Sequence, residues 1–191
     1  TSAAEVLTHV GRYDAAEAAL REATAIGRRL GDERIVGYVA WSAAELACQR
    51  RDRDAALAAL AEAERHPATW FDSLAGLDFL AHATEIRLIV GDVDGAARDL
   101  ARAEERAAGT ERSGAVDAAR ARWEAMVGDP VRGDELLVEL DRSPLVYARD
   151  RWLRTLLRAV CARRRGDATT ATALLDRAKV EVAALDDPGR L

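Results

Sequence analysis

Apolar and polar positions follow one another along this chain with the period of an amphipathic helix, and the pattern is broken repeatedly by one kind of short turn. Val36, Val39, Ala40, Ala43, Ala44 and Ala47 form an apolar stripe, as do Leu77, Leu80, Ala83 with Thr84, and Leu88. Ala16, Leu20, Ala23 and Ile26 or Gly27 give an earlier one. The breaks are Gly11-Arg12-Tyr13-Asp14, Gly31-Asp32, Arg51-Asp52-Arg53-Asp54, Gly91-Asp92-Val93-Asp94, Gly128-Asp129-Pro130 and Gly166-Asp167. Glycine supplies a left-handed stop, aspartate an N-cap, and Pro130 a favoured first helical residue. After five of these turns an amphipathic helix carries a small residue at a fixed place: Ala16, Ala56, Ala96, Gly133 and Ala171. They stand 40, 40, 37 and 38 residues apart. The pattern predicts a tandem array of helical hairpins.

The expected repeats run over 1–31, 32–67, 68–109, 110–143 and 144–187, a single array over 1–191. Pro67 closes the second pair, because proline cannot continue a helix. Trp70 and Phe71 are placed to fill the gap at that junction, and residues 109–114 form the most flexible link. In the fourth pair the second helix is short, and Gly133 replaces the usual alanine, so this repeat is expected to be the loosest. Ser143-Pro144 opens the fifth pair, where Trp152, Leu153, Leu156, Leu157 and Val160 make a broad apolar face. Arg151, Arg154 and Arg158 line its other side, read as a solvated stripe paired with Asp150 and other acids, with an anion site as the alternative.

Composition sharpens the picture in a few places. Aromatics are only 5% of residues, and alanine and leucine dominate, which favours helix throughout. The net charge of −5 is built from interspersed signs, so no positive field is available for direct nucleic-acid binding by this stretch. Lys179 is the single lysine and asparagine is absent, a codon-composition signature of GC-rich genes that also removes every N-glycosylation sequon. Cys48 and Cys161 have neither disulfide-framework nor metal spacing and read as small buried hydrophobes. No apolar run approaches the roughly 20 residues that span a bilayer, and no charged-then-apolar leader opens the sequence. The chain is expected to be a fragment of a longer cytoplasmic protein.

Motifs of catalysis are missing: there is no GxxxxGK[ST], GxSxG, HExxH or CxxC. Gly91 to Gly95 resembles half a calcium loop without the ligand series or closing glutamate, and its register with the other breaks makes it a turn. His9, His66 and His82 lack a second imidazole at i+4. Only His82, beside Asp78 and Glu85, has a suggestive setting, as a metal or catalytic group or as a polar lining. No catalytic residue, cofactor or metal site is expected.

The turn and small-residue pattern resembles the tetratricopeptide repeat (TPR). Gly11, Tyr13, Ala16 and Ala23 carry it in the first copy, Gly91, Asp92, Ala96 and Ala103 in the third, and Gly166, Asp167, Ala171 and Ala178 in the fifth. The second copy departs with Arg51 at the turn glycine, the fourth with Gly133 and Leu140. The resemblance implies an all-α, right-handed superhelix of about five antiparallel helix pairs. Repeats near 40 residues and an Ala/Arg/Leu/Asp-rich style also resemble the sensor region of MalT-like LuxR-family and actinobacterial antibiotic-regulatory transcription activators.

In such arrays the first helices of the pairs line the concave surface. The outward positions there would be Tyr38, Trp41 and Glu45 in the second repeat, Asp78, His82 and Glu85 in the third, and Arg122 in the fourth. Flat amphipathic rings beside carboxylates and an arginine suit a groove for a peptide, protein surface or small inducer. The alternative places Trp41 between repeats as a core residue, with the charges simply solvated. The resulting expectation is a non-enzymatic binding module, the sensor or interaction region of a bacterial transcription regulator. A general assembly scaffold and an accessory domain of an enzyme are the other readings.

Overall fold

The computed structural model describes residues 2–66, 74–108, 114–142 and 151–185. Apart from short turns these residues are helical, without a strand among them. The helices are α1 (Ser2–His9), α2 (Tyr13–Leu30), α3 (Glu33–Gln49), α4 (Arg53–Glu64), α5 (Leu74–Ile89), α6 (Val93–Ala107), α7 (Gly114–Met126), α8 (Pro130–Arg142), α9 (Arg151–Arg164) and α10 (Ala168–Leu185). The fold is therefore all-α. The expectations for Pro67, Trp70, Phe71, the 109–113 link, Ser143-Pro144 and Asp150 lie outside the described residues.

The turns do what their residues dictate. After α5, Gly91 takes φ +79°, its N–H reaching the Leu88 carbonyl while the Asp92 N–H reaches Arg87. That pair of bonds closes a helix end. Asp92 then accepts from the Gly95 N–H and starts α6. The same sequence of events follows α3, but with Arg51 in the left-handed conformation at φ +59°. Its N–H reaches Cys48, that of Asp52 reaches Ala47, and Asp52 caps α4 through Ala55. Asp32 and Asp167 cap α3 and α10 likewise.

The chain falls into two compact units, 1–103 and 104–191. In the first, α1 packs on α2 and α3, α3 on α2, α4 and α5, and α4 on α5. In the second, α7 packs on α8 and α9, α8 on α9, and α9 on α10. Two- and three-residue turns leave helices in contact no choice but to run antiparallel as hairpins. The small residues sit at these contacts: Ala16, Ala56 and Ala96 are fully buried, Ala171 is 6% exposed, and Gly133 is buried. Phe79, Leu60, Leu80 and Leu137 are the large side chains most completely enclosed, each contributing about 1.5–3 kcal/mol by leaving water.

Three expectations are corrected. Gly27, not Ile26, completes the α2 stripe; Ile26 is exposed. The fourth pair is closely packed, not loose: a Cβ on Gly133 would stand 2.7 Å from the Ala125 nitrogen and 2.9 Å from its Cα. Glycine here lets α8 approach the α7 backbone, over a core of Ala121, Ala125, Leu137, Leu157 and Cys161. On α9 the arginine stripe is exposed at Arg151 but not along its length, and its pairing with acids holds at the other two positions. Arg154 is buried and donates from Nε to Asp141 at 2.5 Å, and Arg158 donates to Asp134 at 2.8 Å. Trp152, Leu153, Leu156 and Val160 are only partly buried, because α8 and α10 claim the side with Thr155, Leu157, Ala159 and Cys161.

Candidate functional site

The contacts of α3 with α1 on one side and α5 on the other bring residues of three first helices together. On α3, Tyr38 and Trp41 stack with centroids 5.7 Å apart. Trp41 then meets two α5 residues, Phe79 edge-on at 5.8 Å and His82 at 5.2 Å. Phe79 is fully buried, whereas His82 is exposed and Tyr38 and Trp41 are half-buried. Both readings of Trp41 thus describe part of it: one edge joins the core between repeats and the rest belongs to the surface.

One turn beyond Trp41, Glu45 approaches His9 of α1, with Oε1 and Nε2 3.5 Å apart. Burial pushes the Glu45 carboxyl above the ordinary glutamate range. Charge on His9 and His82 pulls it down, and Glu5 and Glu85 push it further up. Both imidazoles are oriented from within their own helices: His9 donates Nδ1–H to the Glu5 carbonyl at 2.8 Å, and His82 does the same to Asp78 at 2.8 Å. That fixes Nε2 as the nitrogen turned outward from the backbone.

Tyr38, Trp41, Glu45, His82 and Glu85 therefore share one cluster, and Asp78 joins it through its carbonyl. Arg122 belongs to the second unit and is buried on α7, 8% exposed, instead of standing outward. Glu5, His9 and Phe79 are members the sequence reasoning missed. A signal existed. His9, Glu45 and His82 lie 36 and 37 residues apart, as do Glu5, Trp41 and Asp78. That interval is about one helical turn short of the 40-residue spacing of the second helices, so counting by the turns alone skips it.

The cluster offers ring faces, carboxylate oxygens and two imidazole nitrogens. Thr8 and Thr84 donate to the carbonyls of Ala4 and Leu80, and burial pushes the Cys161 thiol up to about 11. Among the described residues, no group of three or more His, Cys, Asp or Glu side chains is arranged to hold a metal ion. None of the described helices is long and apolar enough to cross a membrane. In the second unit a hollow of about 430 Å³ is bordered by Glu104, Val116, Arg120, Arg132 and Leu136, its Arg120–Glu104 pair 3.3 Å apart. No known family, curated protein or solved structure matches the chain.

Proposed function

We propose that this chain is a non-enzymatic binding module, a right-handed superhelix of TPR-like hairpins that receives its partner on the face of α1, α3 and α5. The observation that carries this reading is the continuous row His9–Glu45 and Trp41–His82 across three helices. Half-buried rings and carboxylates set side by side are the groups that contribute most at a contact surface. The setting is a cytoplasmic bacterial transcription regulator, where such an array is the sensing or interaction region and binding to DNA falls to another part of the protein. The repeat length and the resemblance described above support it, as does the acidic net charge of −5.

Panning a random-peptide library against the protein tests the binding face. Selected peptides should lose affinity for the double variant Glu45→Gln/Glu85→Gln while its melting temperature stays put. Selection that yields only peptides indifferent to this variant would remove the site. The regulator setting is tested by reading the open reading frame that encodes the chain. A nucleotide-binding switch and a DNA-binding domain in that frame support it, and a frame carrying neither defeats it.

A further inference from the structure

We infer that a second copy of this chain docks head to tail, the outer side of α10 in one copy covering the uncovered side of α1 in the next, so that two half-made repeat junctions complete each other. This contact lies beyond the binding-face reading and does not depend on it.

The register of the second helices argues for it first. Four residues after the small residue of each one stands a leucine: Leu20, Leu60, Leu100, Leu137 and Leu175. The first four are buried, whereas Leu175 is 41% exposed. Eleven residues after the small one, Gly27 and Ala107 are buried, whereas Val182 is 40% exposed. The next hairpin is what covers the earlier leucines. Leu20 shares a core with Val39 and Leu46 of α3, and Leu137 shares one with Leu157 and Cys161 of α9. A repeat that closes an array presents a polar outer face; α10 presents Leu175 and Val182.

The other half of such a junction stands at α1. Val6 and Val10, the latter just past the helix, are both 62% exposed. Their places are taken 36 residues on by Ser42 and Leu46, and 37 further by Phe79 and Ala83, all four buried. Leu46 lies in the core with Leu20 of the hairpin before it, and Phe79 meets Trp41 of the preceding first helix. Val6 and Val10 thus mark the side on which a preceding hairpin lies, and the register that joins Leu20 to Leu46 sets Leu175 of one copy against Val10 of the next. Charge selects the same match. The second helices of the second, third and fourth pairs carry an acid eight residues after the small one, and the following first helix brings it an arginine. Glu64 and Arg87 stand 3.7 Å apart, Glu104 and Arg120 3.3 Å, and Asp141 and Arg154 2.5 Å. In α10 that place belongs to Lys179, which is exposed, and Ser2–His9 brings no lysine or arginine against it. A first helix bearing arginine there would meet a like charge.

A helix of 8 residues offers a contact at the small end of interface sizes, so the association is weak, with Kd on the order of 100 μM. Sedimentation equilibrium at concentrations up to about 1 mM reads it. Leu175→Asp removes the α10 face and Val10→Asp the α1 face, and each should weaken association by about tenfold or more. Both side chains are exposed, and the melting temperature checks that each variant keeps its fold; Leu175→Ser and Val10→Ser serve where aspartate does not. An equimolar mixture of the two variants should form dimers and nothing larger, because each retains the face the other lacks. A parent protein that stays monomeric at about 1 mM would overturn the inference. So would either variant associating as the parent does, which means that like faces pair, or a mixture that stays monomeric. Glu45→Gln/Glu85→Gln should associate as the parent does; loss of association there would move the contact to the α1–α3–α5 face and sink the inference as well.

Discussion

Arg87 on α5 donates its Nε–H to Asp99 on α6 at 2.7 Å, and the aspartate is 3% exposed. The same guanidinium donates to Asp92 at 2.6 Å and lies 3.7 Å from Glu64 of α4. One side chain thereby ties the turn of the third hairpin to both of its helices and to the helix before it. Asp99→Ala removes the most buried acceptor of Arg87 and leaves the guanidinium to Asp92 and Glu64, so it should cost about 1–3 kcal/mol. Denaturant unfolding measures it. Arg87→Met combined with Asp99→Leu should cost less than the two single changes added together, because neither member of this pair is then left without the other.

Among the described residues, Arg51 is the non-glycine residue held in the left-handed region. A side chain there costs about 1–2 kcal/mol, whereas glycine adds about 0.5–1 kcal/mol of unfolded-state freedom. Arg51→Gly should therefore stabilise the protein by about 0.5–1 kcal/mol, read as a rise of a few degrees in Tm. An unchanged or lower Tm would show that the arginine side chain contributes more than its backbone loses.

Gly133 makes the opposite case. Within an exposed helix, alanine would improve on glycine by about 1 kcal/mol. Here its Cβ would meet the Ala125 backbone at 2.7–2.9 Å, which cannot swing aside as a flexible side chain could. Gly133→Ala should destabilise by about 1–3 kcal/mol. Ala96→Leu tests the equivalent contact of the third hairpin, where no space is left around a fully buried alanine, and should also cost about 1–3 kcal/mol. Arg98→Ala, at an exposed position of the same helix, should melt close to the parent protein.

The Glu45 carboxyl has a proton affinity raised by burial, so the folded state holds its proton longer than the unfolded chain does. Its contribution to stability is fully present below the ordinary glutamate range and is lost as pH rises through the raised value. Glu17, Asp32, Asp92 and Asp167 act the other way, held below their ordinary values: Glu17 first by its hydrogen bond from Arg50, Asp32 by that from Arg34, Asp167 by that of the Thr170 N–H, and Asp92 by hydrogen bonds against an opposing desolvation. Comparing the protein with Glu45→Gln isolates one group from these. The variant should gain stability relative to the parent as pH rises through the weakly acidic range. A difference independent of pH would show that Glu45 titrates alike folded and unfolded.

Much of the fold was legible because its cues are local. The spacing of Ala16, Ala56, Ala96, Gly133 and Ala171 marked the hairpin contacts, and Asp32, Asp52, Asp92 and Asp167 marked helix starts through bonds to residues two or three positions ahead. The site was legible only within each helix. That Trp41 meets His82, and Glu45 meets His9, depends on how far neighbouring helices slide along one another, which no single helix encodes. Arg154 misled for a related reason: a cation at i+3 from Arg151 looks solvated until Asp141 of the preceding helix is laid against it.

The fourth hairpin ends its first helix unlike the others. Gly128 does not adopt the left-handed turn, and the guanidinium of Arg164, the last residue of α9, donates instead to the carbonyls of Glu124, Ala125, Val127 and Gly128 at 2.9–3.1 Å. A positive group collecting the open carbonyls of a helix end stabilises that end, but this one arrives from 36 residues downstream. During synthesis α7 therefore waits about 2–7 s, at about 5–20 residues per second, between leaving the ribosome and being sealed. In this unit the second hairpin, once translated, completes the end of the first hairpin's opening helix.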